Sequence, residues 1–185
     1  MRLPLSFRTE SAGSDFVRSD MLYLVVQSAA ERFAIEAIRV VEVIPLVKVH
    51  PLPGSVAPVA GIIRYQEMAV RVLDLNQLIA PGRASSARMS ARILLFHHPD
   101  CPAQLQGLKV DKVATTLQAE PASFNQPAPG PWLRSDWVMG LRMDATGMLL
   151  ALDIERLLRA GSPGPARLES GTSIPSWTAP TSKSF

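Results

Sequence analysis

Nine runs of strand-forming residues, most of about 4 to 8 residues and bounded by turn chemistry, follow one another between Met21 and Asp153 with little helical period between them. They are MLYLVVQ, RFAIE, VVEVIPLVKV, VAGIIRYQ, MAVRVLDL, ARILLFHH, LQGLKVDKVATTLQ, WVMGLRMD and GMLLALD. Helical turns suit only NQLIA, after Asp74, and IERLLRA, which Gly161 stops. So many strands with so little helix restrict the chain to mainly β architectures, which hide their edges in sandwiched sheets or closed barrels.

With 185 residues, the chain has room for one domain with a sizeable core, plus tails. Its composition, 47% hydrophobic but only 6% aromatic, calls for a mostly aliphatic core and excludes wholesale disorder. Residues 1–20 are polar and without period, and read as a disordered N-terminal extension; Met21 would also serve as a start. Residues 21–160 form the expected domain. Residues 161–185, rich in Gly, Ser, Thr and Pro, read as a flexible tail in which Trp177 is a lone aromatic. No repeat of fixed period is visible, although two halves meeting near residues 85–90 would each supply several strands.

Several function classes are disfavoured at once. The net charge of +3 comes from 19 basic and 16 acidic residues scattered singly, so no nucleic-acid stripe exists. A single cysteine, Cys101, forms no intrachain disulfide and suits a reducing cytoplasm. No signal-type apolar run precedes Ser11 and Asp15, and no stretch reaches the ~18 uncharged apolar residues of a membrane span, so direct membrane insertion is not expected.

Catalytic patterns are equally scarce. The best cluster is His97, His98, Asp100 and Cys101, four potential metal or thiol ligands within HHPDC. Neighbouring residues on a strand point to opposite faces and the flanking prolines mark a turn, so this reads as an exposed hairpin tip. His50, between prolines, reads as a loop residue. Asp74, Asp111 and Asp153 each follow an apolar strand, where turn or helix-cap roles are the simple expectation. No nucleophile elbow or phosphate loop is present, so neither a catalytic residue nor a cofactor is expected.

What remains is surface: Glu36, Arg39 and Glu42 in IEAIRVVEVIP, and Arg64, Gln66 and Glu67 in VAGIIRYQEMAVRVLDL. A half-buried strand showing its polar face explains both at the simplest level. The order of the segments adds more. RFAIEAIRVVEVIP with Val40, Glu42 and Val43, the stretch LPGSVAPVAGIIRYQEMAVRVLDLNQLI with Gly61, Val72, Asp74 and Leu75, then GLKVDKV and GMLLALDIERLL together resemble the CheW-like domain, the adaptor module of bacterial chemosensory arrays.

That resemblance implies two small intertwined β-barrels with short helices, packed on a shared apolar seam, and no catalysis. It further implies a cytoplasmic protein recruited to the inner membrane through receptor arrays. Its partners would be a methyl-accepting receptor and the regulatory domain of a CheA-type histidine kinase. Where the family usually reads N-L-R-G, this chain reads Arg64, Tyr65, Gln66 and Glu67. The expectation is a partner-binding corner of Val40, Glu42, Arg64, Tyr65, Gln66 and Glu67, with Arg64 and Arg71 replacing a missing positive charge. Gly61 and Asp74 are assigned structural roles, Gly61 for close backbone approach.

Overall fold

The computed structural model describes residues 20–82, 88–125 and 136–161. The expectations for the N-terminal extension, for the tail with Trp177 and for residues 85–87 lie outside the described residues. Among the described residues, ten strands and two short α-helices run in the order β1 (Met21–Ser28), β2 (Glu31–Glu36), β3 (Glu42–Pro45), β4 (Val59–Tyr65), β5 (Met68–Asp74), α1 (Leu75–Ile79), β6 (Arg92–His98), β7 (Cys101–Val110), β8 (Lys112–Ala119), β9 (Val138–Asp144), β10 (Gly147–Leu152) and α2 (Ile154–Ala160).

They make two five-stranded sheets, β8-β1-β2-β10-β9 and β3-β6-β7-β5-β4. The second is built from one continuous stretch, β3 to β7, inserted between β2 and β8 of the first. The two halves that meet near residues 85–90 each supply five strands, but neither half makes a sheet of its own. Pairing follows one scheme in both sheets: two antiparallel contacts, one parallel contact and a last antiparallel one.

Closure also follows one scheme. The chain leaving edge strand β3 reaches His50, whose N–H and carbonyl pair with Ile62 of the opposite edge strand β4 at 2.8 and 2.9 Å. The chain leaving β8 reaches Asn125, which pairs with Leu141 of β9 at 2.9 and 2.8 Å. Each sheet is thereby joined edge to edge into a small barrel. A glycine precedes each receiving residue. A Cβ on Gly61 would stand 2.2 Å from the His50 carbonyl oxygen, and one on Gly140 would stand 2.9 Å from Phe124 Cβ. Both glycines therefore permit the close crossing that shuts a barrel. His50 is more than a loop residue: it is the latch of the second barrel.

Alternation then sorts each apolar run into two cores. In β6, Ile93 and Leu95 fill the second barrel with Ile44, Ile63, Val70 and Val72, while Leu94 and Phe96 face outward to the other sheet. In β1, Tyr23 and Val25 fill the first barrel, whereas Val26 faces the seam with Phe33, Leu73, Leu108 and Leu150. Strands buried on both faces need near-continuous apolar sequence, which is why ARILLFHH and MLYLVVQ read as they do.

The run LQGLKVDKVATTLQ, expected as one strand, is broken at Asp111 into β7 and β8, which belong to different barrels. Its carboxylate accepts from Asn76 Nδ2 at 2.8 Å and from the Ala29 N–H at 3.2 Å, and its own N–H donates to the Gln27 carbonyl at 3.0 Å. Asp74 caps α1 by accepting from the Asn76 N–H at 3.0 Å and pairs with Lys109 at 3.1 Å, both side chains largely buried. Ser28 Oγ completes the group by donating to Asn76 Oδ1 at 3.0 Å. Asp153 caps α2 through the Arg156 N–H at 3.0 Å. All three aspartates thus serve at turns or helix caps.

At the β9–β10 turn, Arg32 grips Asp144 with two hydrogen bonds of 2.7 and 2.8 Å, and Thr146 adds its hydroxyl and N–H. The guanidinium, then the threonine hydroxyl, hold the Asp144 carboxyl well below the usual carboxylate range. A depressed folded-state pKa contributes stability above the unfolded value, and that contribution fades as pH falls through the folded value. Asp144→Asn should therefore melt below the wild type at neutral pH, with the gap narrowing as pH falls below about 4. Thermal melts across pH check this; a constant gap would contradict it.

Candidate functional site

The β4–β5 hairpin turns on Gln66 and Glu67, with Tyr65 and Met68 as the last paired residues. Both turn residues lie in the left-handed region, at φ 43° and 64°, the backbone that a two-residue hairpin needs to follow the twist of its strands. The corner keeps a tight two-residue turn although neither residue is glycine. Arg64 and Glu67 form an ion pair across it.

Tyr65 is the hub of the corner. Its ring packs on the core of the second barrel and its hydroxyl donates to Glu42 Oε2 on β3, while Gln66 Nε2 donates to the same hydroxyl at 3.0 Å. Since β3 and β4 are the two edges of that barrel, this bond spans its seam at the rim. The bond to Glu42 raises the Tyr65 phenol above its ordinary value. Glu42, Tyr65 and Gln66 are thus brought together, with Arg64 and Glu67 beside them.

Val40 and Arg71 lie elsewhere. Val40 is half-buried against the inter-barrel seam and offers little free surface. Arg71 pairs with Ile62 and Gln106 in the sheet and is half-buried, and desolvation lowers its pKa. With Arg64 offset by Glu67 and Arg71 withdrawn along β5, neither arginine presents a free positive charge at the turn. The apolar surface at this corner comes from Val43, a residue of the V-x-E-V motif, and from Ile38 and Val41, which the sequence alone did not single out. Ile38 is 84% exposed, Val41 44% and Val43 38%. Val41 is fixed by its N–H to the Leu95 carbonyl at 2.8 Å. Their signal was present in IRVVEV, where apolar residues outnumber the positions a short edge strand can bury.

On the first-barrel side of this ridge, Arg39 joins Glu36 at 3.3 Å and Glu155 at 2.7 Å. These residues and Met139 line a cavity of about 130 Å³ under α2. The ridge therefore runs along the crossing between the barrels, with a salt-bridged end and a tyrosine-centred end.

The family model described as the CheW-like domain matches residues 22–162. The chain belongs to the CheW-like domain family. The crystal structure of the scaffolding protein TtCheW from Thermoanaerobacter tengcongensis is similar to it at a TM-score of 0.66 and 22% identity, over 75% of this chain and 88% of that one. No curated relative matches the sequence.

Elsewhere on this CheW-like domain, His97, His98, Asp100 and Cys101 occupy the β6–β7 hairpin tip. His97 Nδ1 meets the Pro102 carbonyl at 2.8 Å, His98 Nδ1 accepts from the Asp100 N–H at 3.1 Å, and the Asp100 carboxylate pairs with Arg159 at 3.1 Å. No three His, Cys, Asp or Glu side chains among the described residues are grouped to hold a metal. No helix among the described residues is long and apolar enough to cross a membrane.

Proposed function

We propose that this chain is a non-enzymatic coupling scaffold. It would join the cytoplasmic tip of a methyl-accepting receptor to the regulatory domain of a CheA-type histidine kinase, and sit at the inner membrane only through the receptor. The family supports the scaffold role. The observation that carries the choice of surface is the Glu42–Tyr65–Gln66 cluster beside exposed Ile38, Val41 and Val43.

An adaptor needs an apolar ridge for lasting contact and a few oriented polar groups for register and discrimination, and this edge has both. Partner-binding roles go to Glu42, Arg64, Tyr65, Gln66 and Glu67, with Val40 supporting the ridge from below. The rewritten turn, with its internally neutralised charges, favours a receptor of an alternative chemosensory pathway, one whose output is surface behaviour or a second messenger. The same turn favours, as a second reading, a CheW-like domain that has lost this coupling and serves another partner.

Titration calorimetry of the full chain against receptor-tip fragments and kinase regulatory domains separates the two. Coupling predicts that one receptor and one kinase bind. Val41→Asp should weaken at least one of them about tenfold or more, because a charge is then buried at the contact. Gln66→Arg with Glu67→Gly should change which receptor binds. Binding of neither class by the wild type would leave only the second reading.

A further inference from the structure

A second apolar surface lies where α2 ends beside the loop between β3 and β4. Leu52, Pro53, Val56 and Pro58 of that loop, with Ala160 and Gly161 at the end of α2, line a groove of about 320 Å³. Two turns shape the loop wall, the Ser55 N–H donating to the Leu52 carbonyl at 3.0 Å and the Val59 N–H to the Val56 carbonyl at 3.1 Å, and the Asp74 N–H ties the Pro58 carbonyl to β5 at 2.9 Å. Leu52 is nevertheless 42% exposed and Val56 74%, so a wall held in place by hydrogen bonds leaves its apolar side chains in water. The described chain ends at Gly161, in this same groove. Gly161 donates its N–H to the Leu157 carbonyl at 3.0 Å and packs so closely on β5 that a Cβ would stand 2.3 Å from Leu73 Cδ1, which fixes the point from which the following residues set out.

We propose that Ile174, Pro175, Ser176 and Trp177 of this same chain fold back into the groove and strap the β3–β4 loop of the second barrel to α2. The contact lies within one chain and does not rest on the coupling function. Residues 162–173, which lead from Gly161 to Ile174, are mostly Gly, Ser, Pro and Thr. A flexible linker of that length has a reach of roughly 20 Å, ample for a return to its own starting point. Such tethering holds the attached segment at an effective concentration on the order of millimolar, so a contact of weak intrinsic affinity is still populated. Ile174 and Trp177 are the densest pair of large apolar residues after Gly161. A residue before proline is held to extended or polyproline II backbone, and the three-residue turn of the latter brings positions 174 and 177 to one side. The indole of Trp177 lays a broad apolar face on proline and aliphatic walls and keeps its N–H for a polar rim. Arg71, also in the wall, is a cation of the kind an indole face accepts.

NMR of the full-length protein, labelled at its indoles and methyl groups, tests the strap. The expected result is a set of nuclear Overhauser contacts from the Trp177 ring to the methyls of Leu52 and Val56, none of which crosses between molecules when differently labelled chains are mixed. Val56→Asp, at an exposed loop position outside both barrel cores, should return the Trp177 indole N–H resonance to its position in urea-denatured protein. Trp177→Ala should shift the amide resonances of Leu52, Val56 and Gly161 and leave those of the Gln66 and Glu67 turn unmoved. A wild-type Trp177 resonance already at the denatured position would overturn the proposal. Contacts that cross only between molecules would overturn it in favour of a second copy. Leu52 and Val56 resonances that ignore Trp177→Ala but move on adding a receptor-tip or kinase fragment would overturn it in favour of a partner. The first three readouts need no partner, so the strap and the coupling function fail separately.

Discussion

Gly61→Ala is expected to cost about 3 kcal/mol or more of folding stability and to leave little folded protein near physiological temperature. The added Cβ would stand 2.2 Å from the His50 carbonyl oxygen and 2.8 Å from its carbonyl carbon, both backbone atoms that cannot swing aside. The residue is also at φ 143°, which an alanine adopts only under strain. To relieve the contact the His50–Ile62 bridge must open, and with it the closure of the second barrel.

Gly54→Ala is the internal control. Gly54 has φ 77°, but a Cβ there would meet nothing within 4 Å, so the variant should lose only about 1 kcal/mol to backbone strain. Urea denaturation of both variants reads the difference. Equal losses would mean that the close crossing is not what Gly61 serves.

Asp74→Ala should be comparably damaging, at about 3–5 kcal/mol, because it removes one partner of a buried ion pair, the Lys109 contact at 3.1 Å. The lost helix cap on α1 contributes about 1 kcal/mol of that. The effect should reach the first barrel as well. Asn76, whose N–H Asp74 holds, is the link to Ser28 on β1 and to Asp111 between β7 and β8. Arg64→Ala breaks an ion pair too, but an exposed one, and should change stability by less than about 1 kcal/mol. Chemical denaturation of the two variants should separate them clearly; similar small changes would show that the Asp74 group is not what ties the barrels together.

Much of the fold is legible in the sequence because periodicity records burial. Runs buried on both faces, such as ILLF in β6, carry continuous apolar sequence, and the Pro99–Asp100 turn after it carries Pro and Asx, although the turns Ala29–Ala30 and Gln66–Glu67 carry neither. The break at Asp111 is not legible, because KVDKV keeps a strand's composition across it. The break is made by partners at Gln27, Ala29 and Asn76, all distant in sequence. The start of β7 at Cys101 is hidden for a related reason: within CPAQ only Cys101 pairs with β6, opposite His98, and the register shifts before Leu105 meets His97.

At the corner, the polar residues can be picked out because they interrupt apolar strands. Their wiring cannot. Tyr65 and Glu42 meet across two barrel edges, 23 positions apart. Sequence alone puts Val40 on the surface, yet it faces the seam because the 3-10 turn Ala37–Arg39 rotates the chain before β3 begins. The same turn exposes Ile38.

The central claim is that one chain holds two partners at once, and analytical ultracentrifugation of the full-length protein with a receptor-tip fragment and a kinase regulatory domain tests it most directly. The coupling account predicts a three-component species that disappears when this protein is omitted and is weakened by Val41→Asp. Sedimentation of receptor and kinase fragments at their separate rates, with this protein bound to one or to neither, would contradict it.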